Sequence, residues 1–305
     1  MHKKSGISIL FALLTLVTFF ITPYSEYVKA EDKPLEVQFV PTNNDGSMQA
    51  KAEPFAKYLS EKLGKEVNVT LATDYSTIVQ AMAAGQIDIG IMPPAAYTQA
   101  RDMGAAEAVL TSVLGAFDPE SGEPLEGETT GAFRAEILVK ADSDIKEVKD
   151  LIGKNIATLN PTSASGYIYP IAELKEKDID LTTEANLTVV NDIPSMITAI
   201  LNGQQDAGFS FQGTRYVFSK AFPDNNLTKE LKVLYLSEGE IPNDAIAVKP
   251  DMDKDLREKV KQTFLEMNTS DEGKDIMSLW NHLGYVEADE AVYDKVVEYT
   301  DIAAE

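Results

Sequence analysis

The chain has 305 residues, no cysteine, and 49 acidic against 27 basic side chains, which gives a formal net charge of −22 at pH 7. Without cysteine it can have no disulfide framework, no thiolate metal site and no cysteine that accepts a lipid. Nucleic acid is excluded as an expected partner, because a polyanion needs a basic face and no run of Lys or Arg supplies one.

Residues 1–30 are predicted to be a secretory signal peptide. Lys3 and Lys4 precede an apolar run at 7–21, and a small-x-small cleavage pattern ends at Ala30. A membrane anchor is the alternative, but the run stops before Pro23 and is shorter than the roughly 20 residues that a span needs. We therefore expect cleavage near Ala30 and an extracytoplasmic location, in the periplasm or on the outer cell surface.

The mature chain is predicted to contain two groups of alternating strands and helices. The first group has strands at 35–40 and 66–72, helices at 48–63 and 76–84, and a strand that begins at Asp88. The polar, acidic stretch at 118–131 is predicted to be an exposed loop before a crossing to the second group. The second group has strands at 135–140, 155–159, 187–190 and 231–236, and helices at 165–177 and 194–201. Helices at 255–267 and 271–282 are predicted to return to the first group.

One sequence phrase occurs in both groups: a helix, then Gly-Gln-x-Asp-x-Gly, then a strand. The phrase begins at Gly85 in the first group and at Gly203 in the second. Each of these glycines can adopt the left-handed conformation that ends a helix, and each Asp begins a strand edge. The two halves therefore look alike, with coincidence as the alternative, since a helix that ends in Gly before a strand is common in α/β proteins.

Strands that alternate with helices predict largely parallel sheets covered on both faces. About 275 mature residues can form one large domain or two moderate ones, and the pattern favours two. We assign residues 31–132 together with 249–305 to lobe 1, and residues 133–248 to lobe 2. Ligands in such folds lie beyond the carboxyl ends of the strands.

The segment at 156–166 has the features of an anion cradle. A short apolar strand turns sharply into a helix whose start carries the hydroxyls of Thr162, Ser163 and Ser165, with the small Ala164 between the serines. The first N–H groups of a helix have no internal partner and lie at the positive end of its dipole, so they can bind a tetrahedral oxyanion. The alternative is that Thr162 or Ser163 only caps the helix.

Other candidate ligand contacts lie at strand-to-helix junctions. Tyr75 and Tyr97 each follow a predicted strand, where a tyrosine can pack its ring and still direct a hydroxyl into a cleft, although core tyrosines would look the same. Asp244 precedes the apolar residues 245–248 and can accept from a protonated ligand oxygen or an ammonium, or simply form a turn.

Catalytic signatures are weak in this chain. His2 lies in the signal peptide, so His282 has no second histidine with which to bind zinc or activate a serine, and we interpret it as a surface or packing residue. The carboxylates show no spacing that singles out a pair. We expect neither a cofactor, nor a metal, nor enzymatic activity; a secreted hydrolase with a carboxylate pair is the competing hypothesis.

Four segments together resemble the phosphate, phosphite and phosphonate solute-binding proteins of ABC importers. They are Thr73-Asp74-Tyr75, residues 87–97, residues 161–170 and Ile241-Pro242-Asn243-Asp244, in the family's order and spacing. The resemblance implies a type II periplasmic-binding-protein fold, in which two α/β lobes close over a ligand in the cleft between them. It also implies that Ser163, Ala164 and Ser165 hold the anion, that Tyr75 and Tyr97 contribute from the other lobe, and that Asp244 lies beside the ligand.

Two departures from the family pattern bear on the ligand. The family's histidine at the start of the helix before the second phrase is replaced here by Asp192-Ile193-Pro194, and the family's acidic residue near Gln212 is absent. Because a buried ammonium needs a nearby counter-charge, this favours a smaller or uncharged ligand over an aminoalkyl phosphonate, with Gln212 at the pocket.

The sequence thus predicts a monomeric solute receptor that presents a small phosphorus oxyanion, such as a phosphonate or phosphite, to the transmembrane subunits of an ABC permease. The alternative keeps the fold but changes the ligand to a sulfonate or a vitamin precursor, or replaces the permease by a sensory partner.

Overall fold

The computed structural model describes residues 33–40, 47–119 and 121–305. The predicted signal peptide lies outside the described residues. Among the residues that are described, no helix is both long enough and apolar enough to cross a membrane.

The strands and helices alternate through most of the chain. In chain order they are β1 (Leu35–Phe39), α1 (Ser47–Leu63), β2 (Val67–Leu71), α2 (Tyr75–Ala83), β3 (Ile89–Met92), α3 (Pro94–Asp102), β4 (Glu107–Phe117), β5 (Pro124–Thr130), β6 (Ala132–Phe133), β7 (Ala135–Lys140), β8 (Asn155–Thr158), α4 (Tyr169–Glu176), α5 (Leu181–Glu184), β9 (Asn186–Val189), α6 (Ile193–Leu201), β10 (Ala207–Phe211), α7 (Thr214–Val217), α8 (Leu227–Glu230), β11 (Leu231–Leu236), β12 (Ile241–Pro242), β13 (Ala245–Val248), α9 (Lys254–Leu265), α10 (Asp271–Met277), β14 (Gly284–Glu287) and α11 (Ala291–Ala304). A π-helical turn, Ala164–Ile168, leads directly into α4.

Two larger sheets organise these strands. The first has the order β14-β4-β13-β3-β1-β2, with β5 paired to β4, and the second has the order β11-β7-β10-β8-β9. The sequence predicts largely parallel sheets, but each sheet is mixed. β2, β1 and β3 run parallel, as do β10, β8 and β9. An antiparallel strand extends each parallel set: β13 pairs with β3 in the first sheet, and β7 pairs with β10 in the second.

The repeated phrase adopts the same conformation in both sheets. Asp88 donates its N–H to the carbonyl of Glu36 at 2.7 Å, and its carboxylate accepts the Glu36 N–H at 2.9 Å. Asp206 makes the same pair of bonds with Asn155, at 2.8 and 2.9 Å. Gly85 and Gly203 have φ values of 64° and 71°, the left-handed conformation that ends the helix before each phrase. The similarity of the two halves is therefore structural.

The chain crosses between the sheets twice, and the crossing strands pair with each other. Phe133 of β6 lies opposite Ile241 of β12. β13 then joins the first sheet, where Ala245 lies opposite Met92 of β3. The predicted lobe 2 includes residues 245–248, whereas their strand pairs in the first sheet.

Helix α11 packs against elements that flank both sheets. The ring of Tyr293 contacts Tyr97 of α3 edge-on at 4.7 Å, and the ring of Tyr299 contacts Tyr169 of α4 edge-on at 4.8 Å. This helix and β14 are not among the predicted elements.

Two predicted segments differ from the structure. The stretch at 118–131, predicted to be a loop, contains β5, an exposed strand whose polar residues lack the apolar alternation that signals a half-buried strand. The helix predicted at 271–282 ends at Met277, followed by a 3₁₀ turn and by Asn281 in the left-handed conformation. His282 therefore lies outside the helix.

Candidate functional site

The predicted site residues lie at the carboxyl edges of the two parallel strand sets. Tyr75 begins α2 after β2, and Gln212 follows β10. Residues 162–166, which we call the hydroxyl-rich turn, follow β8. Asp244 reaches the same edge of the first sheet from the opposite direction, because β13 runs antiparallel to β3 and starts beside Met92. The crossing strands join the sheets at these edges, which is where α/β folds bind ligands.

The hydroxyl-rich turn is fixed by its own backbone. Ser163 is the N-cap residue: its Oγ accepts the Gly166 N–H at 3.2 Å, and its carbonyl accepts the Ile168 N–H at 3.0 Å. Gly166 is required at this position, since an added Cβ would lie 2.6 Å from the Leu159 side chain. Thr162 donates its N–H and its hydroxyl to the Asn160 side chain at 3.0 and 2.8 Å. The capping role of Ser163 is thus present in the structure.

Three hydrogen-bond donors of this turn remain open. Within the part of the chain that the structure describes, the N–H groups of Ala164 and Ser165 and the Ser165 hydroxyl have no hydrogen-bond partner. Ala164 is 7% exposed and Ser165 is 8% exposed. The π-helical turn is wider than an α-helical turn, and such turns are frequent at functional sites. Buried donors without partners at a helix start are suited to an anion.

Asp244 lies among tyrosines at the edge of the first sheet. Its side chain is 23% exposed, and its backbone carbonyl accepts the Ser112 N–H at 2.9 Å. Burial, and then the charge of Asp244, raises the pKa of Tyr75 to about 12. The same two causes raise the pKa of Tyr285 above its usual range. Tyr75 is therefore a neutral hydroxyl near neutral pH and can donate to a ligand beside Asp244.

His282 belongs to this group, which the sequence analysis did not predict. It is 4% exposed and stacks on Trp280 with the ring centroids 5.7 Å apart. Its Nε2 lies 3.4 Å from Oδ2 of Asp244, and its Nδ1 lies 3.2 Å from the Tyr285 hydroxyl. It is a packing residue as interpreted, but it also contacts a candidate ligand residue 38 positions away in the chain. No local sequence signal indicates that contact.

The Tyr97 hydroxyl and the Gln212 side-chain nitrogen are hydrogen-bonded within the protein. Tyr97 is fully buried; its hydroxyl donates to Glu290 and accepts the Ala108 N–H at 3.0 Å. Gln212 donates its Nε2–H to the Asp118 carbonyl at 3.2 Å.

The second sheet contains a buried carboxyl group, that of Glu136. Glu136 in β7 is 1% exposed and accepts from the Ser210 hydroxyl at 3.4 Å and from the Gly213 N–H at 3.3 Å. Burial raises its pKa to about 7, against the lowering effect of the Arg215 charge. Glu136 therefore holds the turn between β10 and α7 in place.

Within residues 33–40, 47–119 and 121–305, no group of three or more His, Cys, Asp or Glu side chains is arranged to hold a metal ion.

Residues 37–293 match the sequence model of a protein family, the periplasmic substrate-binding proteins of phosphonate ABC transporters. A curated relative is the phosphate-import protein PhnD of Mycolicibacterium smegmatis, 29% identical over 197 residues. That match covers 62% of this chain and spans 58% of the relative's length.

Two solved structures show the fold. A binding protein component of an ABC phosphonate transporter from Pseudomonas aeruginosa has a TM-score of 0.70 at 20% identity, with 90% of each chain covered. PhnD1 from Prochlorococcus marinus, in complex with methylphosphonate, has a TM-score of 0.68 at 18% identity, with 88% of this chain and 98% of that chain covered. The predicted type II periplasmic-binding-protein fold is confirmed.

Proposed function

The chain belongs to the periplasmic phosphonate-binding protein family of ABC transporters, and from this premise we propose that it is a monomeric extracytoplasmic receptor that binds a small phosphorus oxyanion without chemical turnover. The ligand is a phosphonate, phosphite or phosphate. The closed, liganded form is presented to the transmembrane subunits of an ABC permease, after signal-peptide cleavage near Ala30. Nucleic acid has no part in this function.

The observation that supports this function most strongly is the set of open donors at the hydroxyl-rich turn. The N–H groups of Ala164 and Ser165 and the Ser165 hydroxyl have no partner in the described chain, and the two residues are 7% and 8% exposed. A hydrogen bond to a charged group is worth about 1.5–3 kcal/mol, so an anionic ligand that accepts these bonds gains energy of that order from each. Oriented neutral donors also suit a protein with a net charge of −22, because they act at short range without adding charge.

Asp244 and Tyr75 supply the other half of the proposed site. A carboxylate next to an anionic ligand is repulsive unless the ligand donates a proton to it, and a protonated phosphorus oxyanion carries such a P–OH group. A sulfonate has no proton to donate near neutral pH. The pair of Asp244 as acceptor and Tyr75 as neutral donor therefore favours phosphorus over sulfur.

The binding set we propose is Tyr75, Ser163, Ala164, Ser165 and Asp244. Thr162, Tyr97 and Gln212, expected from the sequence, are left out because the Thr162 and Tyr97 hydroxyls and the Gln212 Nε2 bond to other parts of the protein.

Two lobes built on the two sheets would close over the ligand about the crossing strands. We keep lobe 2 from residue 133 but end it before Ala245, because β13 pairs in the first sheet.

The test is a thermal-shift and calorimetry series on residues 31–305 with methylphosphonate, phosphite, phosphate, sulfate and methanesulfonate. A ligand at 100 times its Kd should add about 2.7 kcal/mol of stability. We expect stoichiometric binding of at least one phosphorus oxyanion, no binding of methanesulfonate, and an unchanged ³¹P spectrum of the ligand after incubation.

Binding of methanesulfonate but of no phosphorus oxyanion would refute the proposed ligand class and indicate a sulfonate receptor. Conversion of the phosphorus compound in the ³¹P experiment would refute the non-catalytic function.

A further inference from the structure

We propose that His282 is a positioning residue for ligand recognition: its Nε2–H holds one oxygen of Asp244, so that the other oxygen is presented to a P–OH group of the bound oxyanion. This inference rests on the proposed function. It assigns a role to the single histidine of the chain beyond the predicted signal peptide.

Each ring nitrogen of His282 lies near one polar side chain. Nδ1 forms a hydrogen bond with the Tyr285 hydroxyl at 3.2 Å, and Nε2 lies within ion-pair distance of Asp244, 3.4 Å from Oδ2. Because a carboxylate only accepts, the proposed contact requires a proton on Nε2; in the neutral ring Nδ1 then accepts from Tyr285, and in the imidazolium it donates. The neutral tautomer and the imidazolium both place an N–H toward Asp244. The opposite tautomer would direct a lone pair at the carboxylate.

Neighbouring aromatic rings restrain the imidazole. His282 stacks on Trp280, and the Tyr285 ring contacts it edge-on at 5.5 Å, with the two planes at 88°. Trp280 in turn packs edge-on against Phe39 at the end of β1, at 4.9 Å. The imidazole is thus fixed by a packed aromatic cluster that reaches the first sheet, and it can fix Asp244 in the same way.

The two side-chain oxygens of Asp244 differ in their surroundings. Oδ2 lies 3.4 Å from Nε2 of His282, and Oδ1 has no hydrogen-bond partner within the described chain. The side chain keeps 23% of its surface exposed, so Oδ1 is open to a ligand. The 3.4 Å contact is long for a hydrogen bond, and such contacts often tighten only when the ligand is bound.

The test compares two variants of His282 in the protein comprising residues 31–305 without a histidine tag. His282→Phe keeps an aromatic ring against Trp280 but removes the N–H, whereas His282→Gln keeps a donor near the position of Nε2. We expect His282→Phe to weaken methylphosphonate binding about tenfold, the loss of one hydrogen bond to a charged group. His282→Gln should stay within about threefold of the unmodified protein.

A purely structural role would lower the melting temperature of the ligand-free protein and leave the Kd ratio of the two variants near one. Equal affinities of His282→Phe and the unmodified protein would overturn the inference, as would equal losses in both variants. Absence of any phosphorus oxyanion binding by the unmodified protein would instead refute the proposed function, and the inference would fall with it.

Nitrogen NMR gives a second readout that needs neither ligand nor a folded variant. With one histidine in the protein, its ring signals are assigned without ambiguity. We expect a proton on Nε2, either in the neutral Nε2–H tautomer, in which Nδ1 is an acceptor, or in the imidazolium, in which both nitrogens are protonated. Observation of the Nδ1–H tautomer would overturn the inference even if both variants failed to fold.

Discussion

Replacing Ser165 by alanine should weaken anion binding and leave the fold unchanged, whereas Ser163→Ala should weaken both. The two serines lie two residues apart in the same buried turn and differ in their partners. The Ser163 Oγ accepts the Gly166 N–H at 3.2 Å, while the Ser165 hydroxyl has no partner in the described chain. The pair therefore separates a cap from a ligand contact.

The magnitudes follow from those partners. Loss of one hydrogen bond from Ser165 to a charged ligand is worth about 1.5–3 kcal/mol, which raises the Kd by roughly 10- to 150-fold. Loss of the Ser163 cap costs about 1 kcal/mol of folding free energy. In a protein of this size such a loss lowers the melting temperature by about 2–4 °C. Ser165→Ala should shift it by less than about 1 °C, because no protein contact is removed.

Calorimetric titration with methylphosphonate and melting of the ligand-free protein measure the two quantities separately. Each variant is the control for the other, since both remove one hydroxyl from the same turn. A Ser165→Ala protein that binds as the unmodified chain does, or that melts as low as Ser163→Ala, would refute this assignment of roles.

Three further predictions concern residues around the site. Tyr75→Phe should raise the Kd of the bound oxyanion about fivefold at unchanged stability, by loss of one neutral donor, and calorimetry showing no change would remove Tyr75 from the site. Burial raises the pKa of Glu136 to about 7, and an unfolded Glu titrates near about 4.3. The unfolded chain thus loses this proton first, so the free energy of unfolding should fall by on the order of 3 kcal/mol between these pH values. In urea unfolding at about pH 5 and about pH 8, the free energy of unfolding of Glu136→Gln should differ less between the two pH values than that of the unmodified protein. An equal difference in both proteins would contradict the raised pKa. Gln212→Glu should lower the free energy of unfolding by about 1–3 kcal/mol, because a carboxylate would face the Asp118 carbonyl that now accepts from Nε2; unchanged urea unfolding would contradict this.

The sequence predicts those features whose causes are local. The left-handed glycines at Gly85 and Gly203 and the cap at Ser163 depend on a few neighbouring residues, and the structure has them where the pattern indicates. The strands at Ala135–Lys140 and Leu231–Leu236 match the predicted limits for the same reason.

The remaining features depend on residues that are distant in the chain. The Tyr97 hydroxyl bonds to Glu290, 193 positions away, so its direction cannot be read from the segment around it. His282 reaches Asp244 only because the preceding helix stops at Met277 and the chain then turns at Asn281. β13 joins the first sheet through its pairing with β3 and β4, which no apolar run reveals by itself.

Helix α11 links the two halves of the proposed site. Tyr293 shares a hydrogen bond with Thr111 and donates to the carbonyl of Asn243, the residue before Asp244. Two turns later, Tyr299 packs on Tyr169, the first residue of α4 after the hydroxyl-rich turn. One helix therefore contacts the supports of the proposed acceptor and of the proposed donors.

The two sheets are joined by two crossing strands and by this helix, so closure must proceed through movements that all three permit. A ligand shifts such an equilibrium only by its unequal contacts in the open and closed forms. In the function proposed above, the oxyanion contacts Ser165 from one sheet and Asp244 from the other, so the two residues proposed to select the ligand are also the ones whose contacts would favour the closed form.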